Sequence, residues 1–173
     1  MYESLVKKSI KGNKDAFCQL YDLYKDRLYR YALYKLGSPE EAEDAVSECV
    51  LQTWKGIPNL RDPGSFGSWI FRILSVCCSK RISQMIDERE YTGLRHEIGY
   101  TDQSGDNHKA IELAEALAIL TDEEREIVLL SVVAGLTSNE IAKHTLLTPG
   151  AVRSKLSRSL AKMREFLIQG ESK

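Results

Sequence analysis

An all-α fold, built as two small helical bundles, is what this sequence predicts. Three observations carry the expectation. Apolar residues recur at three- and four-residue spacing, and no run shows sustained period-two alternation with β-branched enrichment. Four segments place a capping side chain at a helix start. Glycines stand just past three expected helix ends.

Taken in order, helices are expected over residues 2–11, 14–36, 39–55, 65–86, 109–119, 122–134, 138–144 and 149–168. Gly12 closes the first and Gly37 the second, because glycine enters the left-handed region without a Cβ penalty. Ser38-Pro39-Glu40-Glu41 opens the third with a capping serine, a proline at the first helical position and a glutamate at the third. The run from Pro58 to Ser65 reads as a loop by its proline and glycine content. Residues 87–108 are polar, glycine-bearing and poorly periodic, so they read as a linker between residues 1–86 and 109–173. Thr121-Asp122-Glu123-Glu124 and Thr137-Ser138-Asn139-Glu140 are capping boxes, Gly135 ends the helix between them, and Thr148-Pro149 opens the last helix. Each half is small enough that its core is limited by surface-to-volume ratio, so each gains from a partner.

Composition narrows the function. The chain has 173 residues, 43% of them hydrophobic and 28% charged, which fits a globular protein. The longest mainly apolar run, Ile127 to Leu136, is too short to cross a bilayer. The start, Met1-Tyr2-Glu3-Ser4, has no basic segment followed by an apolar core, so the expected location is the cytoplasm. Cys18, Cys49, Cys77 and Cys78 show no CxxC spacing and read as free thiols used as small core residues. His96, His108 and His144 are scattered, so no metal and no cofactor is expected. No P-loop, nucleotide-binding glycine fingerprint or nucleophile elbow is present, so no enzyme is expected.

The net charge of −1 conceals segments of opposite sign. Residues 1–36 carry +4, 37–62 carry −4, 63–95 carry +2, 96–126 carry −7 and 127–173 carry +4. From Ala142 to Arg164 there are six Lys/Arg and no Asp/Glu, a local basic face of the kind that attracts phosphate.

Two short capped helices, 138–144 and 149 onward, flank Thr145-Leu146-Leu147-Thr148. That spacing is a helix-turn-helix, with Ile141 and Ala142 facing inward. In the second helix Val152, Leu156, Leu160, Met163 and Leu167 form the expected buried stripe. Ser154, Ser157, Arg158 and Ala161 then point outward, with Arg153 and Lys155 on the flanks. Arginine can take guanine O6 and N7 together, and lysine and serine can hold phosphates or single base acceptors, so duplex DNA is the expected ligand. In the first half, the helix from Pro39 carries Glu40, Glu41, Glu43, Asp44 and Glu48, more acid than the helix dipole uses, which suits a basic partner. Phe66, Trp69 and Phe71 with Arg72, Lys80 and Arg81 suit single-stranded nucleic acid, although Phe66, Trp69, Ile73 and Val76 also fit a core stripe.

With both halves in view, the chain resembles the extracytoplasmic-function sigma factors of bacterial RNA polymerase. Asp15-Ala16-Phe17, Leu20-Tyr21, Tyr24, Ala42-Glu43-Asp44-Ala45-Val46, Glu48, Trp54 and Phe66-x-x-Trp69-Ile70-Phe71-Arg72-Ile73 follow that family's region 2. Ala118-Ile119-Leu120-Thr121, Arg125-Glu126, Leu136-Thr137-x-x-Glu140-Ile141-Ala142 and the stretch from Thr148 to Leu160 follow its region 4.

The resemblance implies a role for each segment. Glu41, Asp44, Glu48 and Gln52 would dock the β′ clamp helices of core RNA polymerase, and the second half would meet its β flap. Asn59, Leu60, Arg61, Ser65, Phe66, Trp69, Arg72, Val76 and Lys80 would capture and melt the −10 promoter element. Thr148, Arg153, Ser154, Lys155, Ser157 and Arg158 would read the −35 element, and residues 87–108 would thread toward the polymerase channels. An anti-sigma factor is a further partner of the class, and no membrane insertion is implied. The family commonly has Gln at Ser47, Phe at Val50, Asn at Val76, Gly at Leu146 and Thr at Ala151. A leucine held at positive φ costs about 1 kcal/mol, so the turn at Leu146 is expected to take another geometry. The competing reading is a stand-alone DNA-binding regulator, for which the acidic helix and aromatic loop have no use.

Overall fold

The computed structural model describes residues 1–92 and 107–171, and within them every regular element is helical. The chain divides into two compact units, Met1–Ile98 and Gly99–Lys173.

In the first unit α1 (Tyr2–Ile10), α2 (Lys14–Leu36), α3 (Pro39–Gly56) and α4 (Phe66–Thr92) form a bundle. The local chemistry explains each boundary. The Asn13 side chain accepts from the Ala16 N–H at 2.9 Å to start α2, and Gly37 ends it at φ 71°. Ser38 accepts from Glu41 N–H to start α3. Two 3-10 turns, Ile57–Asn59 and Pro63–Ser65, fold the expected loop, the second capped by the Asp62 carboxylate on Gly64 N–H. Helix α4 runs past the expected end at 86 to Thr92. Asp87-Glu88-Arg89-Glu90 contains good helix formers, and no breaker stands before Gly93. The rest of the expected linker, residues 93–106, lies outside the described residues.

Leu20, Leu28, Tyr31, Ile57, Phe66, Ile70, Phe71 and Leu74 are fully buried. Edge-on ring pairs tie α2 to α4, with Tyr24–Phe66 at 5.5 Å and Tyr31–Phe71 at 5.7 Å. Cys49, Cys77 and Cys78 are buried free thiols, as expected, whereas Cys18 is exposed on α2. The Cys49 thiol contacts the Ile70 carbonyl at 3.7 Å, and burial pushes its pKa up to about 12, so it behaves as an inert core residue.

The second unit comprises α5 (Asn107–Ala118), α6 (Asp122–Val128), α7 (Ser138–His144) and α8 (Pro149–Glu171). Both expected capping boxes form, Thr121 with Glu124 and Thr137 with Glu140. Arg125 donates to the Leu117 and Leu120 carbonyls and so closes the end of α5. Beyond α6 the coil widens into a π turn, Leu129–Val133, with Ala134 N–H reaching back to the Leu129 carbonyl at 3.0 Å. Gly135 then takes φ 71° and lets the chain enter the second capping box. Leu117, Ile127, Leu129, Leu130, Ile141 and Val152 make the core.

The expected stripe of α8 needs one correction. Leu160 is 40% exposed, and the buried position is its neighbour Ser159. The Ser159 hydroxyl donates to the Lys155 carbonyl at 2.8 Å, so it enters the seam with its donor satisfied. Val152, Ser159 and Met163 are the buried positions, with Leu156 and Leu167 half-buried.

Candidate nucleic-acid and partner interfaces

Three surfaces collect the residues singled out in the sequence. On α3, Glu41, Asp44, Glu48 and Gln52 fall at helical spacing along one face. Glu48 accepts a hydrogen bond from the Gln52 amide at 2.7 Å, and both are exposed. Glu41 differs. It is half-buried and takes both Nε and Nη2 of Arg81 from α4, and the same guanidinium reaches Asp44 at 3.5 Å. Arg81, read from sequence as a phosphate ligand, is thus the bracket that fixes α4 against α3. Beside this face, between α2 and α3, lies a recess of about 390 Å³ lined by Tyr21, Lys25, Asp26, Tyr29, Glu43, Val46 and Ser47. Periodicity on either helix alone does not reveal it.

The second surface surrounds the 3-10 turns and the outer side of α4. Asn59 and Arg61 are exposed, and Leu60 is half-buried. Ser65 is half-buried and donates to the Asp62 carbonyl at 2.7 Å, which holds the turn. Trp69 is half-buried, 6.0 Å from the Phe66 ring and packed over Gly56. Arg72, Val76 and Lys80 follow at intervals of four and are all exposed, Val76 by 61%. Phe66 is the correction here. It is 1% exposed and packed edge-on against Tyr24, so its ring belongs to the core and supports the loop from beneath. A ring that opens α4 beneath a bend in the chain is drawn inward by the area it can bury.

The start of α4 also approaches α2 closely. The Tyr24 hydroxyl donates to the Tyr2 hydroxyl at 2.9 Å, and a Cβ on Gly67 would lie 2.9 Å from the Tyr24 oxygen. Gly67 is therefore required by close approach. Gly67→Ala is expected to cost the first unit about 1–3 kcal/mol, the usual penalty of overpacking, read as a lower urea midpoint.

The third surface is the helix-turn-helix. Thr148, exposed, caps α8 by accepting from Ala151 N–H at 3.2 Å. No non-glycine residue among those described has positive φ, so Leu146 takes an ordinary backbone conformation and extends into solvent. Arg153, Ser154, Ser157 and Arg158 are exposed along α8. The Arg153 guanidinium lies back along the helix toward Gly150, and Arg158 Nε donates to the Ser154 carbonyl at 3.3 Å. Lys155 is half-buried and its ammonium is 2.5 Å from Glu123 of α6. One helical turn pair further on, Lys162 meets Glu124 at 2.6 Å. Hydrogen bonds from Lys162 and from the Thr121 backbone hold the Glu124 carboxyl below the ordinary glutamate range. Neither glutamate was singled out as a partner of α8, because a contact between distant positions leaves no periodic trace. Glu124's only sequence signal is its place in the capping box, and Glu123, which makes no cap bond, has only its position beside it.

Among the described residues no helix is long and apolar enough to cross a membrane, and no group of three or more His, Cys, Asp or Glu could hold a metal ion.

Comparison with known proteins places both units. Residues 20–84 match the family model "Sigma-70 region 2" and residues 110–163 match "Sigma-70, region 4", together well over half of the chain. The ECF RNA polymerase sigma factor SigL of Mycobacterium tuberculosis is 29% identical over 157 residues, covering 84% of this chain and 85% of the relative. SigW of Bacillus subtilis, described in the same terms, is 25% identical over 183 residues, covering 95% and 98%. Among solved structures, CnrH in complex with the cytosolic domain of CnrY superposes with a TM-score of 0.75 at 21% identity, covering 97% of each chain. The sigma factor RpoE of Bartonella quintana, in complex with the anti-sigma factor NepR, gives 0.76 at 22% identity, covering 90% of this chain and 98% of that one.

Proposed function

The chain belongs to the extracytoplasmic-function sigma factors of the sigma-70 family, and from that premise we propose how its residues divide the labour. The protein binds core RNA polymerase and directs promoter-specific initiation of transcription. In the proposed division, Asp44, Glu48 and Gln52 of α3 dock the β′ clamp helices, with Glu41 holding the face in register through Arg81. Asn59, Leu60 and Arg61, with Trp69, Arg72, Val76 and Lys80, take the −10 element as its strands part, while Ser65 and Phe66 hold the loop in shape. Thr148, Arg153, Ser154, Ser157 and Arg158 meet the −35 element in the major groove, and the second unit meets the β flap.

The observation that carries this assignment is a pairing within one chain: an acid-striped helix face in the first unit and exposed arginines on the helix-turn-helix of the second. The mechanism is assembly. Two weak DNA readers held on one polymerase act at high effective concentration, and each makes the other's binding intramolecular. Strand opening follows when an unstacked base is trapped in a protein site. The protein works as a binding factor, with no covalent step assigned to it, in the cytoplasm where polymerase and chromosome meet. RpoE of Bartonella was solved with an anti-sigma factor, and a partner of that class is proposed for this chain.

Run-off transcription with core polymerase tests the residue assignment. Arg158→Ala is expected to cut promoter-dependent product about 5- to 150-fold, the equivalent of one good base contact of about 1–3 kcal/mol. Unchanged product would remove Arg158 from the −35 reader. A wild-type chain that binds duplex DNA tightly alone and ignores core polymerase would favour the stand-alone regulator.

A further inference from the structure

The two lysines on the inner flank of α8 are already occupied. Lys155 and Lys162 stand seven residues apart, two turns along one side of the helix, and face the first turn of α6. Their partners differ in kind. Glu124 is committed twice, since its other oxygen accepts from the Thr121 N–H at 3.0 Å to complete the capping box. Glu123 has no part in the cap and is 47% exposed. Its carboxylate meets Lys155, whose side chain is 30% exposed, on the helix that also carries the exposed Ser154 and Arg158. A carboxylate and a DNA phosphate offer an ammonium the same chemistry, an anionic oxygen acceptor. Arg153 and Arg158, by contrast, have no carboxylate partner among the described residues.

We propose that Glu123 is a positioning residue for the DNA-reading helix: it holds the Lys155 ammonium as an internal stand-in for a backbone phosphate and so weakens binding to DNA of arbitrary sequence. The inference rests on α8 being the −35 reader. A phosphate that recruits Lys155 must displace Glu123, so the gain of one neutralised phosphate is offset by one uncovered carboxylate. Through Glu123 alone, the free protein therefore binds duplex DNA as though Lys155 carried no charge. Arginines, which read bases as well as phosphates, stay available. Lysine, which contributes charge without base geometry, is restrained.

The test is a two-by-two set in the full chain: wild type, Glu123→Gln, Lys155→Met and the double variant. Glutamine keeps a good helix former in α6, and methionine keeps the packed stem on α8. Binding of a fluorescent mixed-sequence duplex is followed by anisotropy across a KCl series, and circular dichroism checks helicity. Glu123→Gln is expected to bind about three- to tenfold tighter at low salt, with a log–log salt slope steeper by about 0.9, one further phosphate neutralised. On the Lys155→Met background the same change should move neither affinity nor slope. Equal slopes for wild type and Glu123→Gln would overturn the proposal. An equal gain on both backgrounds would overturn it too, because Glu123 would then act as a distant charge. If none of the four proteins binds duplex DNA at low salt, the assignment of α8 as a DNA reader fails, and this inference with it.

Discussion

Changing Asp44 and Glu48 to Ala together is expected to abolish co-migration of the protein with core RNA polymerase while leaving its fold intact. Both side chains are exposed on α3, so neither supports the core. Asp44 shares Arg81 only through a 3.5 Å contact, and Glu41 retains that guanidinium in the variant. Loss of fold stability should therefore stay under about 1 kcal/mol, the usual worth of exposed pairs. The binding loss is larger because a docked carboxylate leaves its basic partner buried and unpaired when truncated, at about 2–5 kcal/mol. That corresponds to roughly 30-fold or more in affinity. Gel filtration of the mixed proteins reads the outcome. Co-migration unaffected by the double change would move the polymerase interface off this face, and the recess between α2 and α3 would be the next place to mutate.

Phe66→Ala is the second large effect, and it is expected on stability. The ring is 1% exposed and packs against Tyr24 and Trp69. Truncating a buried phenylalanine costs about 3–5 kcal/mol, much of the stability of a small domain. The urea midpoint of the first unit should fall sharply, and promoter opening should be lost as a consequence. Phe66→Leu separates the two roles, since it refills most of the volume without an aromatic face. That variant should stay folded and still open a promoter. A Phe66→Ala protein as stable as wild type yet unable to open DNA would show instead that the ring touches bases.

These cases mark what could be read in the sequence. The capped helix starts and the glycine-closed ends were legible because capping is local, whereas the end of α4 was not. Ser38, Thr121, Thr137 and Thr148 each bond an N–H three residues on, and the three glycines take the positive φ their positions imply. The outward face of α8 was legible because helical periodicity places Arg153, Ser154, Ser157 and Arg158 together. What could not be read depends on partners far away in the chain. Arg81 looks like a phosphate ligand until α3 lies beside it with Glu41. Phe66 looks like a base platform until Tyr24 covers it. Leu160 outranks Ser159 by hydrophobicity, yet a small hydroxyl bonded to its own helix fits the seam and an isobutyl group sits outside it.

The π turn after α6 bears on the history of the molecule. Its backbone bonds span five residues rather than four, so the segment accommodates one residue more than an α-helix of the same length. Val132, 62% exposed on this turn, contributes little to the core and can be removed at small cost in burial. A chain lacking one residue here would close the same stretch as ordinary α-helix and still deliver its helix-turn-helix. Related sequences should therefore differ by single-residue gaps between positions 129 and 134. A mutational scan should likewise tolerate a one-residue deletion there better than inside α7 or the first turns of α8, where each residue lost would swing the reading face by about a hundred degrees.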